Sequence, residues 1–199
     1  MKPSFKGLIR SGIIVAVIAL AMTSCKSKKA ATPIEQTTGA KEISVPFSSK
    51  EYYSDKENFR AKSSGNSPDQ PTAKKIALQN AKSEMAGLIQ TTIKKVTEQY
   101  TLQRTIGTEQ EFNNKFEEMA REVTNQQLVD VKIIGERLFK ETNNTYTFWV
   151  AIEANKMDIL SGIDKVISNN KKIEQDYDKK KFEEIFNAEM EKLAKERGY

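Results

Sequence analysis

A chain of 199 residues with no histidine and a single cysteine, Cys25, has few side chains left with which to do chemistry. Imidazole bases, His or Cys zinc sites, Cys–His nucleophile pairs and intramolecular disulfides are all excluded. Carboxylates, lysines and hydroxyls remain. Glu117 with Glu118, Glu183 with Glu184, and Asp176 with Asp178 are the candidate acid–base or hard-cation pairs. Neighbouring helical residues point about 100° apart, and no Asp-x-Asp-x-Asp-Gly loop occurs, so these pairs read as solvated helix faces. Lys179-Lys180-Lys181 has the charge to meet anionic headgroups. Residues 170–199, however, carry eight basic and eight acidic side chains, with Asp176 and Lys180, and Glu191 and Lys195, at salt-bridge spacing. Ser63-Ser64-Gly65-Asn66-Ser67 lacks the Lys-Ser/Thr ending of a phosphate loop, no Gly-x-Ser-x-Gly elbow occurs, and the run reads as a turn. No catalytic residue, metal ligand or cofactor is therefore expected.

Cys25 is the residue whose position carries chemical meaning. Residues 1–24 open with Lys2, Lys6 and Arg10, continue through the apolar run Gly12 to Met22, and reach Thr23 and Ser24. That is the order of a secretory leader. The apolar run is much shorter than the roughly 20 residues a membrane-spanning helix needs, and Lys26-Ser27-Lys28-Lys29 follows at once. Leu20-Ala21-Met22-Thr23-Ser24-Cys25 resembles a bacterial lipobox, with Met22 standing where leucine is usual. The resemblance implies that Cys25 is diacylated and becomes the mature N-terminus, so that the protein meets the membrane through acyl chains, each buried methylene contributing about 0.8 kcal/mol. Removing residues 1–24 removes three basic residues and no acidic one, and the formal charge falls from +5 to +2. A nucleic-acid partner is not expected, because a phosphate-binding face needs clustered, uncompensated Lys and Arg.

The elements behind Cys25 follow from periodicity. Residues 25–41 are rich in Lys, Ala, Thr and Gln, with Pro33 and Gly39, and read as a flexible tether. An α+β domain is expected over 42–168 and a charged amphipathic helical extension over 169–199. Ile43, Val45 and Phe47 alternate around Pro46 as a short extended segment. Asn58 to Gly65 reads as a strand running into the turn-rich stretch Asn66 to Pro71. From Thr72 to about Gln103, Leu78, Ala81, Met85, Leu88, Ile89, Thr92, Val96 and Tyr100 recur at helical spacing. Thr108 and Glu111 fit a capping box for a second helix whose apolar face is Phe112, Phe116, Met119, Ala120 and Val123. Val129, Val131 and Ile133 alternate as a strand, with a bulge expected at Gly135, and Tyr146, Phe148, Val150 and Ile152 as another, joined through Glu141 to Asn144. The expected core is Leu78, Met85, Leu88, Val131, Ile133, Phe148 and Val150. Trp149 falls on the strand face opposite Phe148, under the second helix or the C-terminal helices.

After Asn155 the pattern is helical, with Ile159, Ile163, Val166, Ile173 and Tyr177 on one stripe. Phe182, Phe186, Met190 and Leu193 project to the opposite side. A straight rod would expose this second stripe to a protein partner or another copy of the chain, whereas a break near Asp178 to Lys181 would fold it back onto the domain.

The order strand, long helix, helix, strand, strand, helix, with Arg60-Ala61 leading to Gly65 and then Ala73, Ala77 and Ala81, resembles the twenty-kilodalton membrane-associated lipoprotein family first described in Helicobacter, including its Bacteroidetes members. The resemblance covers roughly residues 57–160 and the lipobox. It implies an α+β fold in which a three-stranded antiparallel sheet packs on the long helix, in an outer-membrane lipoprotein. The extension after Asn169 departs from the shorter members. Surface-exported Bacteroidetes lipoproteins carry acidic residues after the cysteine, so the basic Lys26-Ser27-Lys28-Lys29 points to the periplasmic face. The expected function is a non-catalytic envelope protein acting by protein association, as a scaffold or accessory subunit. The rival expectation is a binding module for a small ligand or cell-wall glycan, in a groove near Phe59, Tyr100 and Trp149.

Overall fold

A computed structural model describes residues 43–103 and 109–196. The leader, the tether, Cys25 and the Thr108 cap lie outside the described residues. Ser44–Tyr199 forms one compact unit. Its elements are β1 (Asn58–Ser67), α1 (Gln70–Leu102), α2 (Glu109–Gln127), β2 (Lys132–Lys140), β3 (Tyr146–Asn155), α3 (Lys156–Ser168), α4 (Lys171–Asp176) and α5 (Lys179–Glu196), with a 3-10 turn at Lys50–Tyr52 ahead of them. The fold is α+β. Its antiparallel sheet has the order β1-β3-β2, so β3 is central and both other strands are edges. No helix among the described residues is long and apolar enough to cross a membrane.

The 33-residue α1 organises the unit. Asp69 starts it by accepting the Thr72 amide at 2.9 Å and the Thr72 hydroxyl at 2.6 Å, and Pro71 occupies a first-turn position where its missing N–H is no loss. Its first half faces the sheet with small residues, Ala73, Ala77 and Ala81, all fully buried. They meet Gly65 of β1: a Cβ there would stand 2.5 Å from the Ala77 nitrogen and 2.6 Å from the Ala73 oxygen. Strand and helix backbones approach this closely because neither carries bulk. The second half of α1, from Met85 through Ile89, Ile93, Val96 and Tyr100, is buried among the other helices. The helix therefore lines one continuous core, first under the sheet and then among the helices. Its buried threonines Thr92, Thr97 and Thr101 each donate to the carbonyl four residues back, so they cost no unsatisfied hydroxyl.

The expected core shifts by part of a helix turn. Leu78 and Leu88 lie at the margin of the core, while the Ala73, Ala77, Ala81, Met85, Ile89 row is central. Large leucines suggested the wrong centre line, because the sheet needs small residues beneath it. Phe148 and Val150 are buried as expected, Val131 is half-buried, and Ile133 is 40% exposed on the edge strand. Val129 sits in the turn after α2 and is 67% exposed, so β2 starts at Lys132 and runs further than the Val129–Ile133 alternation suggests. The register shift between Ile133 and Gly135 is the expected bulge. Ser63 to Ser67 belongs to β1 and not to a turn. Ile43 to Phe47 forms no strand; Pro46 and Phe47 make a turn, with Phe47 at φ 60°. That left-handed backbone, unusual for a bulky residue, is held by burying the ring on Gly135, where a Cβ would lie 2.5 Å from it.

Candidate functional site

The C-terminal stripe folds back. Phe182, Phe186 and Met190 are fully buried and Leu193 packs at the core margin, so the expectation that these four residues form a partner interface is overturned. The chain breaks at Asn169–Asn170 and again at Tyr177–Asp178. Asp178 caps α5 by accepting the Lys181 amide on its carboxylate at 3.1 Å. Tyr100 clamps the second break: its hydroxyl donates to the Asp176 carbonyl at 2.8 Å and accepts the Asp178 amide at 2.7 Å. α5 then lies along α1. Phe182 enters a ring cluster with Phe116 (4.8 Å between centroids), Tyr100 (5.7 Å) and Tyr177 (5.6 Å), and Phe186 reaches Phe59 of the sheet edge-on at 6.2 Å. Tyr177 donates to Asp164 at 2.7 Å, and burial followed by that hydrogen bond pushes its phenol well above the ordinary value. Phe59 and Tyr100 are thus core residues, while Trp149 points to the other face of the sheet, away from α1. The expected ligand groove near these three rings does not form.

The outer face of the sheet, remote from α1, carries a second set of chemistry-bearing groups. Arg60 donates to Glu153 at 2.7 Å, to Asp55 at 2.7 Å and to the Tyr53 carbonyl at 2.8 Å. Lys132 reaches the other oxygen of Glu153 at 2.9 Å. Burial alone would raise the Glu153 carboxyl, but hydrogen bonds from Lys132 and Arg60 outweigh it and hold the group below the ordinary carboxylate range. The network binds residues 53–55 to the sheet. Beside it, a cleft of about 460 Å³ opens between Tyr52, Tyr53, Lys62, Gly87 and Leu88. Lys62 crosses it, donating to the Phe47 carbonyl at 2.6 Å with its ammonium 4.2 Å from the Tyr53 ring centre. Among the described residues, no group of three acidic or sulfur ligands is placed to hold a metal ion.

The two sheet edges differ in how their backbones are satisfied. Antiparallel pairing alternates between residues that bond inward and residues that bond outward. Glu57 accepts the Lys156 amide, which places Arg60, Lys62 and Ser64 among the outward residues of β1. Outward groups of three residues on that edge are bonded from within: Ser54 Oγ bonds both the amide and the carbonyl of Arg60 (2.9 and 3.2 Å), Asn80 donates to the Ser64 carbonyl at 2.9 Å, and the Asp55 amide donates to the Asn58 carbonyl. On β2 the Glu141 amide bonds the Thr145 carbonyl, so Glu136, Leu138 and Lys140 turn their N–H and C=O groups away from β3. Among the described residues nothing bonds those groups. Leu138 and Phe139 are 41% and 42% exposed. α1 covers β1 and β3 and reaches β2 through the Lys74–Glu136 ion pair at 2.7 Å.

No family model, curated protein or solved structure matches the chain. Cys25 lies outside the described residues. The open β2 edge has a signal in the sequence beyond the Val129–Ile133 alternation: Glu136, Leu138 and Lys140 alternate with Arg137 and Phe139. The bulge at Gly135 interrupts the period, so alternation alone places the strand ahead of its true span.

Proposed function

We propose that this is a lipid-anchored envelope protein, held on the periplasmic face of the outer membrane by acyl chains on Cys25, that acts by protein association and not by catalysis. One observation carries the reading. The sole cysteine stands where a basic and apolar leader meets a polar segment, and a compact α+β unit begins at Ser44 beyond that segment. Anchor, spacer and folded head are the parts of a tethered adaptor, and the open β2 edge supports association by supplying an unused bonding surface. Intact-mass analysis of the protein purified from its own membranes tests the anchor. A diacylated or triacylated Cys25 at the mature N-terminus is expected, together with release of Cys25→Ala into the soluble fraction or its retention as uncleaved precursor. An unmodified Cys25 in the mature chain ends the proposal.

The cleft beside Tyr52 and Tyr53 favours a second reading, a binding module for a small ligand or cell-wall glycan. Aromatic side chains with flanking charged groups suit sugar rings bearing carboxylates. Titration with soluble peptidoglycan fragments, followed by backbone amide shifts around Lys62 and Gly87, tests it; an unchanged spectrum at millimolar fragment removes this reading.

A further inference from the structure

We infer that β2 is a self-recognition strand, through which two copies of this chain pair edge to edge, antiparallel, about a two-fold axis at Leu138. The inference rests on the association reading above and names its partner. Three observations lead to a second copy and not to some other strand. Ser54 and Asn80 interrupt the β1 edge by bonding outward groups of Arg60 and Ser64, whereas the outward backbone groups of three successive outward residues of β2, Glu136, Leu138 and Lys140, have no partner among the described residues. Edge strands are ordinarily blunted by charge, yet the charges here have opposite sign and are placed symmetrically, two residues either side of Leu138. The exposed apolar groups, Leu138 and Phe139, sit at and beside the centre of that symmetry.

The pairing follows from the register. With Leu138 opposite Leu138 of the second copy, Glu136 lies opposite Lys140 of the second copy, and Lys140 opposite Glu136. All three pairs are of the type that exchanges both backbone hydrogen bonds, and all three side chains lie on the face shared with α1. On the outer face Arg137 stands opposite the aromatic ring of Phe139 of the second copy. The neighbouring symmetric registers are poorer. Centring on Arg137 opposes two like charges, and centring on Phe139 leaves Glu136 and Lys140 without each other. Opposite-charge pairs directly across a ladder are favourable and like-charge pairs unfavourable. Lys74 of the same copy already pairs with Glu136, so each Glu136 would sit between two ammonium groups. The two sheets become one continuous sheet with both α1 helices on the same side. A ladder of this length buries little area and is weak in free solution. Confinement of both copies to one membrane surface raises their effective concentration and lets a weak contact operate.

Charge reversal on the full chain in detergent, read by sedimentation velocity at tens of micromolar, tests the register. The wild type is expected to dimerise. Lys140→Glu alone and Glu136→Lys alone should each weaken the dimer by roughly tenfold or more with little change in melting temperature. Mixing the two single variants should restore it, because both cross-pairs then become complementary, and the double variant should pair with itself. Leu138→Cys supplies a readout independent of charge, forming a disulfide between copies in intact membranes. A monomeric wild type with no Leu138→Cys crosslink overturns the self-pairing, as does a dimer indifferent to either reversal or single variants that fail to rescue each other. None of these results bears on the acylation of Cys25, which the intact mass decides separately.

Discussion

Gly65 is a point of close backbone approach between the sheet and α1, and it shows why one atom matters here. A methyl group at that position meets the backbone of Ala73 and Ala77 at 2.5 to 2.6 Å, and backbone cannot rotate out of the way. Gly65→Ala is expected to cost about 1–3 kcal/mol as overpacking does, measured by urea unfolding. Gly87, on the exposed side of the same helix, has nothing within 4 Å of an added Cβ. Gly87→Ala should therefore stabilise by about 0.5–1 kcal/mol through helix propensity; equal effects at the two sites would contradict the packing described. Tyr100 is the second residue on which much depends, since one hydroxyl serves both sides of the α4–α5 break. Tyr100→Phe removes both of these part-buried hydrogen bonds, with an expected loss of about 1–3 kcal/mol in the same unfolding assay. Retained stability would mean that Asp178 alone sets the break.

Among the elements, α1 and α5 define what is core and what is surface. Ile89 is fully buried and Leu88, next to it, lines the cleft. Ile89→Ala is expected to cost about 2–5 kcal/mol, as buried aliphatic truncations do, and Leu88→Ala distinctly less. The reverse order in thermal melts would place the apolar face of α1 where the leucines suggest it. For α5, Phe182 and Phe186 tie the sheet to the helices through Phe59 and Phe116. Polar replacement of both should lower the melting temperature sharply or prevent folding, because two fully buried rings are lost. A normal melt with altered oligomeric state would instead restore the exposed-stripe view.

At the scale of the molecule, three carboxylates tie separate elements together, and all are held below their ordinary range. Asp55 and Glu153, both bonded to Arg60 of β1, join residues 53–55 and β3 to that strand, and Glu189 of α5 joins Lys95 of α1 at 3.3 Å. Each is raised by burial and lowered further by its partners: the Glu57 amide and Arg60 for Asp55, Lys132 and Arg60 for Glu153, Lys95 and Lys192 for Glu189. A depressed native value means that the unfolded chain binds more protons over the window between the two values. The stability from these groups is then complete above the ordinary carboxylate range and is lost as pH falls through the native values. Melting temperature should thus be flat near neutrality and fall below about pH 4.5. Glu153→Gln and Glu189→Gln should each be less stable at neutral pH and show a shallower acid slope; an unchanged slope would remove these pairs from the acid response.

The alternation and helical periods in the sequence were enough to determine an α+β chain with a long central helix, a bulge at Gly135 and a compact unit behind Cys25, because each is a local pattern of side-chain spacing. The apolar face of α2, from Phe112 to Val123, was legible for the same reason. Three things depended on non-local contact. Which face of α1 is central was decided by the sheet, whose close approach at Gly65 selects alanines over leucines. The fate of Phe182, Phe186 and Met190 was decided by Tyr100, a residue some eighty positions earlier in the chain, which holds the break that turns the last helix inward. Which strand edge stays uninterrupted was decided by Ser54 and Asn80, whose side chains bond Arg60 and Ser64 of β1 from outside the strand. Periodicity reports what one element wants to bury; only the assembled chain determines what covers it.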